Sequence, residues 1–278
     1  MQLTLPKVAA DRMRQEKGSR NTLWLLLLAL PMLLFLVVPL VALVSRIRVS
    51  SLFENLFNAE VTQAITLSIT TTAISTLCTL LFGTPLAYLL ARRKFRGRTV
   101  IDTLIDLPMV LPPSVAGIAL LLAFGRRGLL GGVLADFGIS IAFTQAAVVM
   151  AQIFVAAPFY IKASIAGFAG VDRDLEQAAA IDGANSWLVF RYITVPMTWS
   201  ALFGGAIMSW ARALGEFGAT IIFAGNFPGR TQTMPLAIYI GFELELNVAL
   251  TLSVILLTTS FLVLFLVKGV LRQRFQAI

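Results

Sequence analysis

Two ionisable side chains, Arg212 and Glu216, interrupt an apolar segment of the chain. They lie four residues apart, so on a helix they share one face. Charged groups within long apolar segments face the interior of a helix bundle and pair with one another. Two interpretations stay open. The two side chains form a structural ion pair, or they lie on a pathway where Arg212 supplies positive potential to a passing anion.

A second group of polar side chains lies between residues 171 and 196, a stretch too polar to cross a bilayer. Asp172 has the side chain of a helix N-cap, and Asp174 and Glu176 follow in the first turn, where acidic groups favour the helix dipole. The pattern therefore predicts a short helix that begins just after Asp172.

This helix is expected to stop at Gly183, because glycine is the common residue after a helix C-terminus. Asn185 can cap a second short helix that ends before Pro196. Three alanines at 178–180 leave the first helix thin, which suits insertion into the groove of a partner. An interfacial helix lying on lipid is the weaker alternative, since its acidic first turn would be repelled by anionic headgroups.

The residue inventory argues against enzyme chemistry. The chain has no histidine and one cysteine, Cys78, so no His/Cys metal site, no disulfide and no Ser-His or Cys-His nucleophile pair can form. No glycine-rich phosphate loop ending in Gly-Lys-Ser/Thr is present. We expect no metal and no cofactor in this chain, and no ATP binding by that route.

The elements that must position these residues are membrane helices. Of 278 residues, 58% are hydrophobic and only 13% are charged, and the mean hydropathy is +0.87. This composition predicts an all-α, polytopic membrane protein. A spanning helix needs about 20 apolar residues. Six segments qualify, and the first is too long for a cleaved signal peptide. The segments are 23–44, 62–91, 103–124, 142–163, 197–223 and 248–268.

The distribution of basic residues predicts the orientation. With the N-terminus in the cytoplasm, 16 of the 22 Lys and Arg residues fall on the cytoplasmic side. The net charge of +8 then reflects topology, and we expect no nucleic-acid partner. Both termini and the stretch 171–196 are predicted to be cytoplasmic.

The third segment contains Pro108, Pro112 and Pro113, followed by Ser114. Proline removes an amide donor and kinks or breaks a helix. Irregular backbone at membrane depth persists only where protein or a water-filled cavity surrounds it. A kinked packing helix and a wall of a translocation path are both compatible with this pattern.

Residues 176–196 resemble the EAA loop of ABC-importer permeases, which reads Glu-Ala-Ala, three residues, Gly, nine residues, Ile, one residue, Leu-Pro. Here Ala178 and Ala179, then Gly183, then Ile193 to Pro196 keep the spacing. Val195 occupies the position of the motif's leucine. Gln177 occupies the position of the motif's glutamate, and the glutamate of this chain, Glu176, lies one residue earlier. The resemblance covers about residues 60–270.

The resemblance implies a type I ABC-importer permease fold with six transmembrane helices. It places the transmembrane core at 60–270, and the apolar pattern and the basic residues predict a basic cytoplasmic tail at 1–22, a first transmembrane helix at 23–45 and a cytoplasmic C-terminal tail at 271–278. It also implies that the loop at 171–196 contains the coupling helix, which docks on a separate ATPase subunit. The docking residues would then be Asp174, Glu176, Gln177, Ala178, Ala179, Ala180, Asp182, Gly183, Ala184 and Pro196.

Within this family the chain resembles the molybdate permeases, through residues 107–131 and 211–239 and through the loop itself. The expected cargo is molybdate, or tungstate, which has nearly the same size and charge. Sulfate and thiosulfate permeases share the ARxxGE outline and remain an alternative, as does an ion-coupled secondary transporter. The implied partners are a second copy of the chain, two ATPase subunits that bind ATP and magnesium, an extracytoplasmic oxyanion-binding protein and the lipid membrane.

Overall fold

In the computed structural model, residues 7–47 and 49–275 are described, and this part of the chain is helical and contains no β-strand. The all-α prediction is confirmed. The predicted tails at 1–22 and 271–278 include residues 1–6 and 276–278, which lie outside the described residues. The elements are α1 (Lys7–Arg46), α2 (Val49–Leu56), α3 (Ala59–Arg92), α4 (Arg98–Val110), α5 (Pro113–Phe124), α6 (Gly131–Asp136), α7 (Gln145–Ala169), α8 (Arg173–Ile181), α9 (Ser186–Val189), a π-helix (Phe190–Thr194), α10 (Val195–Leu214), α11 (Gly218–Phe223), α12 (Met234–Leu244) and α13 (Leu246–Phe275).

The chain divides into two units, residues 1–48 and 49–278. The first unit contains α1, in which no side chain between Trp24 and Arg46 is buried by protein. A helix that is apolar on all sides is stable in hydrocarbon, where its surface is covered by lipid.

In the second unit, α7 packs between α3 and α10. Small residues allow these helices to approach closely, as is common in membrane bundles. A Cβ added to Gly205 in α10 would lie 2.8 Å from the Cβ of Ala163, and one added to Gly83 in α3 would lie 3.1 Å from the ring of Tyr160. The bundle that carries the loop 171–196 is therefore tightly packed.

The buried face of α3 is rich in hydroxyl groups, which the helix itself satisfies. Thr71, Thr72 and Thr79 each donate a hydrogen bond to the carbonyl four residues earlier, at 2.7–2.8 Å. Gln152 of α7 donates to the hydroxyl of Thr71 at 3.1 Å and joins the two helices. Most hydroxyl groups in this span thus have a partner within the protein; the hydroxyl of Thr76 is buried without one.

Among the described residues, four helices are long and apolar enough to cross a membrane, and two of the predicted spans are broken. The four are Trp24–Arg46, Ala59–Arg92, Gln145–Ala169 and Leu246–Val267. The third predicted span consists of α4 and α5, which are bent by 118°. In the fifth, α10 ends at Leu214 and α11 begins at Gly218. The count of six spans and the position of the termini stay predictions.

The segment 231–236 differs from the sequence prediction, which placed it in an extracytoplasmic loop. Thr231, Thr233, Met234 and Leu236 are buried, and the backbone N–H of Met234 donates to the Ser68 hydroxyl at 2.7 Å. Since Ser68 lies almost three turns into α3, the segment is buried in the bundle where α12 begins. The fold therefore has a third irregular region beside the two broken spans.

Cysteine labelling tests the predicted topology. In a variant without Cys78, we expect single cysteines at Gly132 and Phe227 to react with an impermeant reagent added outside intact cells. A cysteine at Asn185 should react only after the cells are opened, because Asn185 and Gly132 lie at opposite ends of α7 in chain order. Labelling of residue 185 from outside would contradict the orientation.

Candidate functional site

The first half of the loop, α8, forms as its sequence predicts. The Asp172 side chain accepts a hydrogen bond from the backbone N–H of Asp174 at 2.9 Å and caps the helix. Asp174 and Glu176 lie in the first turn. None of the nine residues of α8 is buried, and Ile181 in its last turn is 85% exposed. The helix therefore presents an uncovered face.

This outward face combines apolar and acidic side chains. Ala178 lies near its middle, with Ile181 and Leu175 beside it and with Asp174 and Asp182 four residues before and after Ala178. All five residues are exposed. Such a narrow face with acidic edges suits an apolar groove that has basic groups at its rim.

A glycine corner follows α8, as predicted. Gly183 has φ +93°, a backbone angle that side chains with a Cβ rarely adopt. The backbone N–H of Ala184 returns to the Ala179 carbonyl at 2.9 Å. Asn185 then caps α9 by accepting from the N–H of Leu188 at 2.9 Å. The corner fixes the angle at which α8 leaves the bundle.

The prediction that the second helix ends before Pro196 is wrong. The helix continues from Ser186 to Leu214 through the π-helix, and Pro196 lies in the first turn of α10. The amide of Val195 bonds the Phe190 carbonyl, five residues back. Proline lacks an N–H and its ring crowds the carbonyl four residues back, so one wider turn lets the helix pass it unbroken.

Glu176, one of the predicted docking residues, has partners within the chain. Its carboxylate points to the inner side of the loop, where Oε1 lies 2.8 Å from Nη2 of Arg92. The same oxygen accepts a hydrogen bond from the hydroxyl of Thr194 at 2.7 Å. In the sequence, Arg92 is one of the basic residues that predict the orientation, and no sequence signal separates it from its neighbour Arg93.

The docking role of all these residues, including Glu176, stays a prediction. Gln177, Ala180 and Ala184 line a cavity of about 320 Å³ beside the Arg92–Glu176 pair, to which Arg93 and Arg173 contribute positive charge. Aromatic rings hold the loop against the bundle: Phe190 packs edge-on against Tyr88 of α3, with 5.1 Å between the ring centroids. The loop is thus held firmly on one side and open on the other.

The second predicted site, on the two broken spans, is brought together by the fold. The break in the third span at Pro112 and Pro113 lies against the start of α11: a Cβ added to Gly218 would lie 2.7 Å from that of Pro113 and 3.4 Å from the amide nitrogen of Ser114. Pro112 and Pro113 end one helix and start the next, which is a sharper change than the predicted kink.

Arg212 and Glu216 form an ion pair, with 2.8 Å between Nη1 and Oε2, and its structural and pathway interpretations both stay predictions. Glu216 lies in the break after α10, and its Oε1 accepts from the backbone N–H of Ala219 at 2.8 Å. The carboxylate therefore also caps the short helix α11. The Glu216 side chain is 1% exposed and that of Arg212 is 29% exposed.

A second charged cluster was not predicted. Nζ of Lys162 in α7 lies 2.8 Å from Oδ1 of Asp102 and 2.9 Å from Oδ1 of Asp106, both in α4. The spacing of the two aspartates by four residues on one helix face was the available sequence signal. This cluster ties α4, in which no residue is buried, to the bundle.

The chain belongs to the family described as the binding-protein-dependent transport system inner membrane component, whose model matches residues 83–276. It is therefore a multi-pass membrane subunit of a transport system and not an enzyme.

Curated relatives extend over most of the chain. The molybdenum transport system permease protein ModB of Mycobacterium tuberculosis is 42% identical over 241 residues, which cover 86% of this chain and 91% of that protein. The probable transport system permease protein NifC of Clostridium pasteurianum is 36% identical and covers 89% of this chain and 88% of its own length. The sulfate transport system permease protein CysW of Synechococcus elongatus is 34% identical, with 94% of each chain covered.

Solved structures support the fold. A chain of a bacterial alginate ABC transporter, solved in complex with an alginate pentasaccharide-bound periplasmic protein, matches with a TM-score of 0.75 at 16% identity and covers 94% of this chain and 98% of that chain. The MetNI methionine ABC transporter in an inward-facing conformation matches with a TM-score of 0.60 at 17% identity and covers 77% of this chain and 95% of that chain. The type I ABC-importer permease fold is confirmed.

Proposed function

We propose that this chain is the permease subunit of an ATP-driven importer that carries molybdate into the cytoplasm, with tungstate as a second cargo of nearly the same size and charge. The ATP-driven mechanism is proposed because of α8. None of its residues is buried, and the Arg92–Glu176 ion pair anchors its inner side to the bundle. Similarity to molybdenum permeases over 86% of the chain supports the cargo.

The uncovered face of α8 is the docking surface for an ATPase subunit. The five side chains of this face, four on α8 and that of Asp182 just after it, are exposed in the part of the chain that the structure describes. Helix-in-groove docking would bury Ala178 and Ile181 and place Asp174 and Asp182 at the rim. ATP and magnesium would then bind to the partner, which agrees with the absence of a phosphate loop from this sequence.

The working assembly is two copies of this chain, two ATPase subunits at the cytoplasmic face and an oxyanion-binding protein outside. Closure of the ATPase pair on ATP would displace the two α8 helices. The bundle would respond as a two-state element and expose the pathway to alternate sides. The broken spans at Pro112 and Glu216 supply irregular backbone of the kind that lines such pathways.

Sulfate is the second candidate cargo, because the sulfate permease relative matches 94% of the chain. An ion-coupled secondary transporter is disfavoured by the family. Such a transporter needs a carboxylate that exchanges ions within the membrane. The two oxygens of Glu216 already have partners within the chain: Oε2 is 2.8 Å from the Arg212 guanidinium, and Oε1 accepts from the Ala219 amide.

Uptake into vesicles tests the proposal. The assembled transporter is reconstituted with ATP trapped inside, and labelled molybdate or sulfate is supplied outside with the binding protein. We expect ATP-dependent molybdate uptake that excess unlabelled sulfate inhibits weakly. Equal uptake of sulfate would assign the chain to the sulfate class, and uptake driven by an ion gradient without ATP would contradict the ATP-driven mechanism.

A further inference from the structure

The Glu176 carboxylate joins three helical elements at one point. It belongs to α8, it pairs with Arg92 at the end of α3, and it accepts a hydrogen bond from Thr194, the last residue of the π-helix before α10. Arg92 also donates from Nη1 and Nη2 to the Val171 carbonyl, at 3.2 and 3.3 Å, just before α8 begins. We call Arg92, Glu176 and Thr194 the inner latch.

The inner latch is largely shielded from water. The side chains of Arg92 and Glu176 are 8% and 18% exposed, and Thr194 is fully buried. Hydrogen bonds to charged groups are about twice as strong as neutral ones, and shielding from water strengthens them further. The latch is therefore a firm connection at a place where α8 has no apolar anchor of its own, since none of its residues is buried.

The π-helix gives Thr194 its place in the latch. One widened turn between Phe190 and Thr194 shifts the register of the helix relative to a regular α-helix. The Thr194 hydroxyl thereby reaches the carboxylate of α8. The next threonine on the same face, Thr198, is also buried but bonds only to carbonyls of its own helix, Thr194 at 2.8 Å and Val195 at 3.2 Å.

We infer that Glu176 is a positioning residue for energy coupling, which transmits a displacement of α8 to α3 and α10 through the inner latch. This inference rests on the proposed function, because it takes α8 as the helix that the ATPase moves. The rigid helix α10 runs from the latch to the break at Glu216, so a tilt at Thr194 is carried to the irregular region of the fifth span. Docking and transmission are thus divided between the two sides of α8: the outward face binds the partner, and the inner latch moves the bundle.

The test measures ATP hydrolysis and molybdate uptake in the same proteoliposomes, with the complete transporter and its binding protein. In Thr194→Val, which keeps the shape of the side chain but removes the donor, we expect ATPase co-purification to be unchanged and the molybdate imported per ATP hydrolysed to fall about tenfold. Thr194→Ser keeps the hydroxyl and should retain coupling. Thr198→Val removes a hydroxyl that lies outside the latch and should behave as wild type.

A variant on the α8 side completes the design. Glu176→Gln loses the charge toward Arg92, and we expect the imported molybdate per ATP to fall at least as far as in Thr194→Val. A latch that only stabilised the fold would lower protein yield, hydrolysis and uptake together and leave their ratio unchanged. That result, or a wild-type ratio in Thr194→Val, would overturn the inference. If the wild-type chain binds no ATPase at all, the proposed function itself fails, and the two failures are distinguishable.

Discussion

Arg212→Met is expected to destabilise the protein by about 3–5 kcal/mol, because it leaves the Glu216 carboxylate buried without its countercharge. Glu216 is 1% exposed and has only the Ala219 amide as a further partner. Glu216→Gln should cost less, since the amide oxygen can still cap α11 and the Arg212 side chain is 29% exposed and can reach water. The measurement is the midpoint of thermal unfolding of the purified permease in detergent.

The double variant Arg212→Met with Glu216→Gln is the matched control. Removing both charges leaves no buried ion unpaired, so the double variant should be more stable than Arg212→Met alone. This outcome would establish a structural ion pair. A wild-type midpoint for Arg212→Met together with a loss of uptake would instead place Arg212 on the pathway of the anion, the other interpretation that the sequence leaves open.

The local structure of the loop was predictable because its signals are local. Asp172, Gly183 and Asn185 each act within four residues of their own position, through a cap, a positive φ and a second cap. The positions of most apolar helices were predictable for a similar reason, since the length of an apolar run is read directly from the sequence. Both kinds of prediction depend on short-range physics.

The partners within the bundle were not predictable. Glu176 and Arg92 are separated by 84 residues, and Lys162 lies 56 and 60 residues from its two aspartates. Such contacts depend on how α3, α4, α7 and α8 pack, and nothing in one sequence reports this.

Backbone irregularities were predicted only in part. The prolines at 112 and 113 indicated a disturbance, but the sequence could not tell a kink from a break of 118°. At Pro196 the same residue type indicated an end where the helix continues, because a π-helical turn removes the steric conflict. The effect of a proline depends on whether the surrounding structure supplies an alternative hydrogen-bond register.

Ile181→Lys is expected to release the ATPase subunit without unfolding the permease. Ile181 is 85% exposed, so its replacement removes little packing within the chain. A lysine in the last turn also favours the helix dipole, so α8 should persist. In the docked complex, however, the new ammonium group would be buried without a partner, which costs about 3 kcal/mol and corresponds to a loss of affinity of roughly a hundredfold. The measurement is co-purification of the ATPase with tagged permease.

Two further variants separate the docking surface from general damage. Phe137→Lys is the control for the added charge. Phe137 is 76% exposed but lies before α7, at the opposite end of that helix from α8, so this variant should leave ATPase binding intact.

Gly183→Val changes the corner and leaves the outward face unaltered. The space around Gly183 is open, but its φ of +93° strains any residue with a Cβ by about 1 kcal/mol or more. That strain is too small to unfold a membrane bundle and is sufficient to tilt α8, so binding should weaken and uptake should fall in step. If Ile181→Lys and Gly183→Val both retain the ATPase at the wild-type level, α8 is not the docking helix, because its exposed face and its angle would then both be irrelevant to the complex.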